Sequence, residues 1–212
     1  MKALVSTASK AAGVLLVFTV VLTGILAFTY SITHHEIQHN EDNAQRKLVA
    51  ETLTLHSFNN DLLSNQIMLP HDPLLGTDGP SIAWQARQNG TPVAVVLEAI
   101  APDGYSGKIS LLIGVTIDGK LSGVRVVSHK ETPGLGDYIE LAKSEWIHLF
   151  DGKSLGSPDD NGWKVKKDGG QFDYMAGATI TPRAVIKAVH HALKYTALHR
   201  DQLFAATAGA KS

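Results

Sequence analysis

The chain has 212 residues, a formal net charge of −1 and no cysteine. The near-neutral charge argues against nucleic-acid binding, and the lack of cysteine excludes disulfides, thiolate metal sites and cysteine-ligated iron–sulfur clusters. A redox function would depend on an organic cofactor or on haem, and no Cys-x-x-Cys-His sequence for covalent haem is present. The length fits one domain with an appendage.

An uncharged, mainly apolar stretch at residues 13–33 is long enough to cross a bilayer. Lys2 and Lys10 precede it, so the positive-inside rule predicts that residues 1–12 are cytoplasmic. The rest of the chain would then lie in the periplasm, anchored to the cell inner membrane. The alternative is a cleaved secretory signal, but such signals have an apolar core of about 7–15 residues and a small-x-small cleavage site. The sequence therefore favours a retained single-pass anchor.

The remaining chain predicts a helical stalk at residues 34–60, a domain at 61–200 and a flexible tail at 201–212. Within the domain, apolar runs predict strands at 93–100, 108–117 and 121–127. Asp118-Gly119 lies between two of these runs and predicts a hairpin turn in which both central residues have positive φ. Residues 69–80 are rich in proline and glycine, which indicates a loop.

The C-terminal part predicts a short helix at residues 137–150, a polar connector at 151–170 and a final helix that ends near His199. Thr181 is a good N-cap for that last helix and Pro182 suits its first position. Together these elements predict an α+β fold: a small domain with an antiparallel sheet and flanking helices, behind one transmembrane helix.

The segment that leads into the final helix admits two interpretations. The ordinary one is a tight turn followed by a capped helix. In the other, the hydroxyl of Thr179 carries a phosphate-linked cofactor at the helix N-terminus, where free N–H groups and a partial positive charge favour phosphate. Gly177 would let the backbone approach a bulky ligand, and Asp173 would orient or deprotonate the hydroxyl. Because a threonine hydroxyl is a weak nucleophile, a separate transferase would be needed.

The string Asp173-x-x-Ala176-Gly177-Ala178-Thr179 resembles the flavinylation motif of the FMN-binding domain family. That family includes the G subunit of the Rnf electron-transport complex and the C subunit of the sodium-pumping NADH:quinone reductase. In the family the last threonine of the motif is esterified to the phosphate of FMN. The resemblance therefore implies FMN on Thr179, attached by a flavin transferase that uses FAD. Ala176 departs from the usual Ser or Thr at its position.

A second string, His129–Asp137, is similar to the loop that precedes the flavin site in both subunits. Its ordinary interpretation is a Pro-Gly turn, which explains only part of it. Gly104-Tyr105-x-Gly107-x-Ile109 also fits the family. The resemblance implies that flavin contacts come from this loop, at Glu131, Thr132, Gly134, Leu135 and Gly136.

By this resemblance the protein is a membrane-anchored electron-transfer subunit of an Rnf-type complex, with other subunits as partners and with no catalytic residue or metal site of its own. The residues alone leave open a flavin-free anchored scaffold or ligand-binding module. Four aromatic residues are candidates for stacking on the flavin, although each is more often ordinary core or surface: Tyr105, Trp146, Trp163 and Tyr174. The pair His190-His191 is interpreted as solvated or capping, because adjacent helical residues point in different directions.

Overall fold

The first element of the chain is helix α1 (Lys2–Glu51) in a computed structural model that describes residues 2–53 and 58–205. The chain divides into two units, Met1–Gln45 and Arg46–Ser212. The second unit therefore includes the end of α1, which the sequence assigns to a stalk outside the domain.

Within the first unit, Ala12–Tyr30 is a stretch of 19 apolar helical residues that are not buried inside the protein. By length and composition this segment can cross a membrane. A mainly apolar helix whose residues are exposed in this way fits a lipid environment. The segment overlaps the predicted span at residues 13–33.

The second unit is built on one antiparallel sheet whose strands follow the order of the chain. Each strand pairs with the next, so short turns connect most of them. With its flanking helices the sheet confirms the predicted α+β class. Only the last three strands have counterparts among the predicted ones. The five strands are β1 (Gln66–Leu69), β2 (Ser81–Gln88), β3 (Thr91–Gly104), β4 (Gly107–Thr116) and β5 (Leu121–Ser128).

The turn between β4 and β5 lies at the predicted hairpin, but its geometry differs from the prediction. Gly119 has φ 81°, whereas Asp118 is not among the residues with positive φ. The turn with two positive φ values is instead the one between β2 and β3, at Asn89 (φ 51°) and Gly90 (φ 80°). This Asn-Gly pair is a strong hairpin signal and marks the strand, β2, that the prediction omits.

The two faces of the sheet carry different cores because successive strand residues point to opposite sides. On the front face, residues such as Val95, Leu97 and Ile113 pack with helix α2 (Ile180–Leu198) in the larger core. The back face holds a smaller cluster that includes the end of α1. Its buried members are Val49, Leu53, Leu62, Trp84, Ala86, Ala94, Val96 and Leu112.

Two glycines let the chain after α1 lie directly on the back face. A Cβ added to Gly114 would lie 2.5 Å from the carbonyl oxygen of Thr52, and one added to Gly123 would lie 2.9 Å from it. The same carbonyl accepts a hydrogen bond from Ser122 Oγ at 2.6 Å. The end of α1 is thus fixed to the sheet by close backbone contact, which a larger residue would prevent.

The prediction of one helix at residues 137–150 is wrong. Two short 3₁₀ helices, Asp137–Ile139 and Glu145–Phe150, occupy this segment instead. They place several aromatic side chains in the front core. Trp146 packs edge-on against Tyr138 and Phe150, with ring centroids 5.5 and 5.4 Å away. The segment is therefore shaped by packing of its bulky side chains.

Both ends of the domain also differ from the expected boundaries. Helix α1 ends at Glu51, whereas the helical stalk was predicted to extend to residue 60, and residues 54–57 of that stretch lie outside the described residues. Of the flexible tail predicted at 201–212, residues 201–203 belong to helix α3 (Arg200–Leu203), in which Leu203 is fully buried. The rest of that tail, residues 206–212, also lies outside the described part of the chain.

Candidate functional site

Helix α2 begins at Ile180, and Thr179 occupies its N-cap position with φ −79° and ψ −24°. The Thr179 side chain makes no capping hydrogen bond, so its hydroxyl is not used to satisfy the helix N–H groups. The prediction that Thr181 caps this helix is wrong, because Thr181 lies inside the first turn and is 1% exposed. Pro182 still fits there, since the first N–H groups of a helix have no intrahelical partner.

A buried carboxylate accounts for the position of Thr181. Its hydroxyl donates to Glu131 Oε2 at 2.5 Å, and the backbone N–H of Ser106 donates to Glu131 Oε1 at 3.0 Å. Glu131 is 5% exposed. It joins three segments: the turn between β3 and β4, the loop after β5 and the start of α2. Its negative charge also lies near the N-terminus of α2, where the helix dipole is favourable to it.

The loop after β5 is held from its other side by a histidine. The backbone N–H of Glu131 donates to His129 Nδ1 at 3.0 Å, so His129 carries its proton on Nε2, 2.5 Å from Glu140 Oε1. The loop then makes the expected Pro-Gly turn, in which Gly134 has φ 77° and Leu135 N donates to Thr132 O at 3.1 Å. The turn directs Leu135 outward.

The segment before Thr179 also contains a tight turn. Ala178 N donates to Met175 O at 3.1 Å, and Gly177 within this turn has φ 88°. A residue with a side chain rarely adopts this φ, whereas a Cβ at Gly177 would meet only open space. The turn itself therefore requires this glycine, independently of any close approach to a ligand.

Asp173 is held away from Thr179. Its carboxylate pairs with Lys166 Nζ at 2.6 Å, and its carbonyl oxygen accepts a hydrogen bond from Trp146 Nε1 at 2.7 Å. This geometry gives no support to the idea that Asp173 orients or deprotonates the Thr179 hydroxyl. Two residues later, Met175 N donates to the hydroxyl of Tyr138 at 3.3 Å. Burial raises the pKa of Tyr138, which keeps that hydroxyl protonated.

These segments enclose a cleft of about 180 Å³ at the N-terminus of α2. Most of the predicted site residues line it, together with Tyr105 from the turn between β3 and β4, which was a candidate for stacking on the flavin. Two further lining residues, Ile180 and Thr181, were not predicted to contact the flavin. No sequence signal places Ile180 and Thr181 there, because their position depends on the bond to Glu131. The predicted residues in the wall are Glu131, Thr132, Leu135, Gly136, Gly177, Ala178 and Thr179.

Three predicted residues do not line the cleft. Gly134 lies in the turn before Leu135, Ala176 lies in the turn before Ala178, and Asp173 lies at its ion pair. Size alone does not select this cleft, because a cavity of about 230 Å³ lies elsewhere, lined in part by Arg200 and Phe204. What distinguishes the first cleft is that both strings that resemble the family's motifs contribute residues to its lining.

The cleft has a tight floor and an apolar rim. A Cβ added to Gly136 would lie 2.8 Å from Glu131 Oε2, so only glycine fits against the buried carboxylate. At the rim, Tyr105, Leu135 and Ile180 are 68%, 48% and 45% exposed. Ligand pockets are typically about 300–1,000 Å³. A nucleotide-sized ligand would therefore be only partly enclosed by this cleft, and the remainder would lie against the exposed apolar rim.

Paired charges surround the start of α2. Arg183 donates two hydrogen bonds to Asp168, at 2.6 and 2.7 Å, and these bonds hold the pKa of the Asp168 carboxyl below its usual range. One turn further along α2, Lys187 Nζ lies 2.6 Å from Asp103 Oδ2. Both pairs are solvent-exposed and add little stability. They leave the first-turn N–H groups of α2 as the fixed positive element beside Thr179.

The other aromatic candidates are core residues. Trp146 and Trp163 are buried, and Tyr174 packs against the front core. His190 is also buried and stacks on Trp163 with centroids 4.9 Å apart, so the interpretation of that histidine as solvated is wrong. Burial lowers the pKa of His190, which favours its neutral form. Of the four aromatic candidates, Tyr105 alone lines the cleft.

Comparison with known protein families gives two matches on this chain. The model of the FMN-binding domain matches residues 104–194, and the model of the RnfG N-terminal region matches residues 1–51. The first range contains every residue that lines the cleft.

Several curated proteins are similar over most of the chain, and each is named as the G subunit of an ion-translocating oxidoreductase complex. The protein of Pseudomonas aeruginosa (strain UCBPP-PA14) is 53% identical over 188 residues, which cover 89% of this chain and 88% of the relative. The protein of Vibrio cholerae serotype O1 (strain ATCC 39541) is 43% identical over 190 residues, 90% of each chain. That of Shewanella baltica (strain OS223) is 44% identical over the same share.

Proposed function

Because this chain belongs to the family of G subunits of ion-translocating oxidoreductase complexes, we propose that it relays electrons through an FMN esterified to Thr179. The FMN-binding domain and the apolar N-terminal helix support a membrane electron-transfer subunit. We further propose a single pass through the inner membrane, with residues 1–12 cytoplasmic and the domain periplasmic. The partners are the other subunits of the complex.

One observation carries the proposal: the Thr179 hydroxyl lies in the wall of the cleft and makes no capping bond. A threonine at an N-cap ordinarily bonds the helix N–H groups. Here those groups remain available to a phosphate, and the hydroxyl remains available for a covalent bond. An N-terminal helix end is a suitable environment for the phosphate of a phosphoester.

The residues of the cleft fit an FMN attached in this way. The exposed side chains of Tyr105, Leu135 and Ile180 provide apolar surface for the ring system. Thr132 and the backbone of Gly136 and Gly177 also line the cleft. When bound, FMN supplies the redox chemistry, and the protein sets its potential through nearby charge, hydrogen bonds and burial.

The buried carboxylate of Glu131 lines the cleft and can therefore tune a flavin bound there. Its oxygens already accept hydrogen bonds from Ser106 and Thr181. Its negative charge would disfavour an anionic reduced flavin and lower the potential. Three predicted residues would affect the flavin only indirectly, because they shape the segments that line the cleft: Asp173, Ala176 and Gly134.

Attachment requires an enzyme, since the described residues place no base at the Thr179 hydroxyl. We propose a flavin transferase that uses FAD. The Thr179 oxygen forms a bond to the FMN phosphorus, the pyrophosphate bond of FAD breaks and AMP leaves. The hydroxyl proton passes to the transferase or to water, and no electron is transferred in this step.

The test is made on the full chain produced in cells with an active flavin transferase. In a denaturing gel under ultraviolet light the wild-type protein should give a fluorescent band, and Thr179→Ala should give none. Thr132→Ala is the matched control, because it removes a threonine hydroxyl from the same cleft and should leave the band. Thr179→Ser keeps a hydroxyl and should also remain fluorescent.

A band that survives Thr179→Ala would contradict the proposed attachment site. A wild-type chain whose intact mass equals that of the bare polypeptide, in the same cells, would favour a flavin-free membrane-anchored scaffold or ligand-binding module instead. The two outcomes can be distinguished. In the first the protein still carries a covalent flavin, but on a residue other than Thr179, and in the second it carries no covalent flavin.

A further inference from the structure

The segment that carries Thr179 is tied to the buried core by two aromatic side chains. Trp146 Nε1 donates to the carbonyl oxygen of Asp173 at 2.7 Å, and the hydroxyl of Tyr138 accepts from Met175 N at 3.3 Å. The two bonds flank Tyr174. They are made to the main chain, so they fix the path of the segment whatever side chains it carries.

Both aromatic residues are parts of a rigid cluster. Tyr138 and Trp146 are 6% and 7% exposed, and their rings pack edge-on at 83°. Trp146 in turn packs edge-on on the fully buried Phe150. Side chains packed in this way sit in single rotamers and do not follow the motions of the surface. The hydrogen bonds therefore hold the main chain of Asp173 and Met175 in a fixed position relative to the core.

The residues just beyond these bonds are solvent-exposed. Met175, Ala176 and Gly177 are exposed, and Thr179 is half-buried. On the downstream side the chain is fixed again by the bond from Thr181 to Glu131. The exposed turn is thus short and held at both ends, the arrangement expected of a segment that must enter the active site of another protein in one shape.

We propose that Trp146 and Tyr138 are positioning residues that present Thr179 to the enzyme that attaches the flavin. This inference rests on the proposed function. The two residues act through the main chain of the segment and touch neither the transferred phosphate nor the leaving group. Loss of either bond lowers the fraction of molecules that present the hydroxyl in the reactive position.

The main test compares Trp146→Phe with Trp163→Phe in the full chain, purified in detergent and supplied with a flavin transferase and FAD. Trp163 is a matched control because it is 5% exposed and belongs to the same core. Its indole N–H donates to Pro158 O at 3.2 Å and not to the segment that carries Thr179. Both variants lose the same atoms, so their unfolding temperatures should fall alike.

Their attachment kinetics should differ. A hydrogen bond of ordinary strength shifts a conformational equilibrium by roughly three- to tenfold. We expect Trp146→Phe to lower kcat/KM for attachment by about that factor relative to Trp163→Phe, with both measured at the same folded fraction. An equal or higher kcat/KM for Trp146→Phe would overturn the inference. A higher value would mean that the bond restrains the segment and does not present it.

A milder pair keeps the test decisive if the tryptophan variants fail to fold. Tyr138→Phe removes only the hydroxyl that accepts from Met175, whereas Tyr195→Phe removes a buried hydroxyl that has no hydrogen-bond partner among the described residues. We expect Tyr138→Phe to slow attachment about threefold, since its bond is long, and Tyr195→Phe to leave the rate unchanged. Equal rates for the two variants would overturn the role of Tyr138. A wild-type chain that takes no flavin at Thr179 would instead contradict the proposed function.

Discussion

The two faces of the sheet are covered to different extents and serve different parts of the molecule. The front face packs against α2 and the 3₁₀ helices Asp137–Ile139 and Glu145–Phe150, and the cleft beside Thr179 lies at the edge of this large core. The back face carries a smaller cluster beneath the end of α1 and, beside it, an open groove of about 430 Å³ that contains Glu98.

This difference separates two tasks. The front core supports both walls of the cleft, so its rigidity determines the geometry of the site. The back cluster joins the end of α1 to the domain, where Gly114 and Gly123 admit the main chain of Thr52. We therefore expect substitutions on the front face to affect stability most, those on the back face less, and those at the cleft to affect flavin attachment beyond any loss of stability.

Neighbouring residues on β4 give the sharpest form of the comparison. Ile113 is fully buried in the front core, and Leu112 is 4% exposed in the back cluster. Ile113→Ala should lower the free energy of unfolding by about 3–5 kcal/mol and Leu112→Ala by about 2–3 kcal/mol, because the smaller cluster can close partly around the cavity. Urea unfolding of the full chain in detergent measures both. A larger loss for Leu112→Ala would mean that the back cluster, and not the front core, contributes more to stability.

Gly114 tests the close contact on the back face. In Gly114→Ala the new methyl group would meet Ser122 Oγ and, at 2.5 Å, the carbonyl oxygen of Thr52 to which Ser122 donates. We expect a loss of about 1–3 kcal/mol in unfolding free energy. Gly156→Ala is the control, since its Cβ would meet no atom within 4 Å and its φ is not positive. Equal stability of the two variants in a thermal unfolding experiment would show that the end of α1 is not held against the sheet.

Gly136 tests the cleft floor. Gly136→Ala would place a methyl group 2.8 Å from Glu131 Oε2 and 2.9 Å from Glu131 Cβ, and so displace the carboxylate that holds Thr181. We expect a stability loss of about 1 kcal/mol and a fall in the rate of flavin attachment of about tenfold. The rate is followed by flavin fluorescence of the denatured protein. A normal rate would mean that the link between Glu131 and Thr181 does not shape the acceptor site.

The smallest expected effect belongs to Glu98 in the open groove. Burial raises the pKa of Glu98 above its ordinary value of 4.5, in spite of a hydrogen bond from Ile82 N. Between the ordinary and the raised pKa the folded chain binds more protons than the unfolded chain, so this carboxyl lowers stability as the pH rises through that window.

Glu98→Gln keeps an acceptor for Ile82 and removes the charge. It should raise the free energy of unfolding at neutral pH by a few tenths of a kcal/mol, because the half-buried carboxyl is screened by water. Below pH 4.5 the difference from the wild type should disappear. Denaturant titrations at the two pH values check this, and a stability loss at neutral pH would contradict the account.

Local patterns predict some of these elements well and others poorly. Apolar runs with a turn signal locate β3, β4 and β5. They miss β2 because it carries two buried polar residues, Gln85 and Arg87, which bond the carbonyls of Leu203 and Ala205 more than a hundred positions later, at 2.8 and 3.1 Å. Such partners leave no periodic signal in a strand. The Asn89-Gly90 pair is the local signal that marks this strand.

At the start of α2, too, a distant partner overrides the local sequence signal. Thr181-Pro182 satisfies the local rules for a helix start, but the bond to the distant Glu131 draws Thr181 into the first turn and leaves Thr179 at the N-cap. The resemblance to a known motif pointed to most of the residues that line the cleft, but not to Ile180 and Thr181. It did not reveal that Asp173 is turned toward Lys166 or that Trp146 and Tyr138 hold the segment.

The central claim is tested most directly by the mass of the peptide that contains Thr179, isolated from native membranes. If FMN is esterified to Thr179, this peptide should carry the mass of one FMN less one water. Fragmentation should then place the added mass on Thr179. An unmodified peptide, or a flavin on another residue, would contradict it.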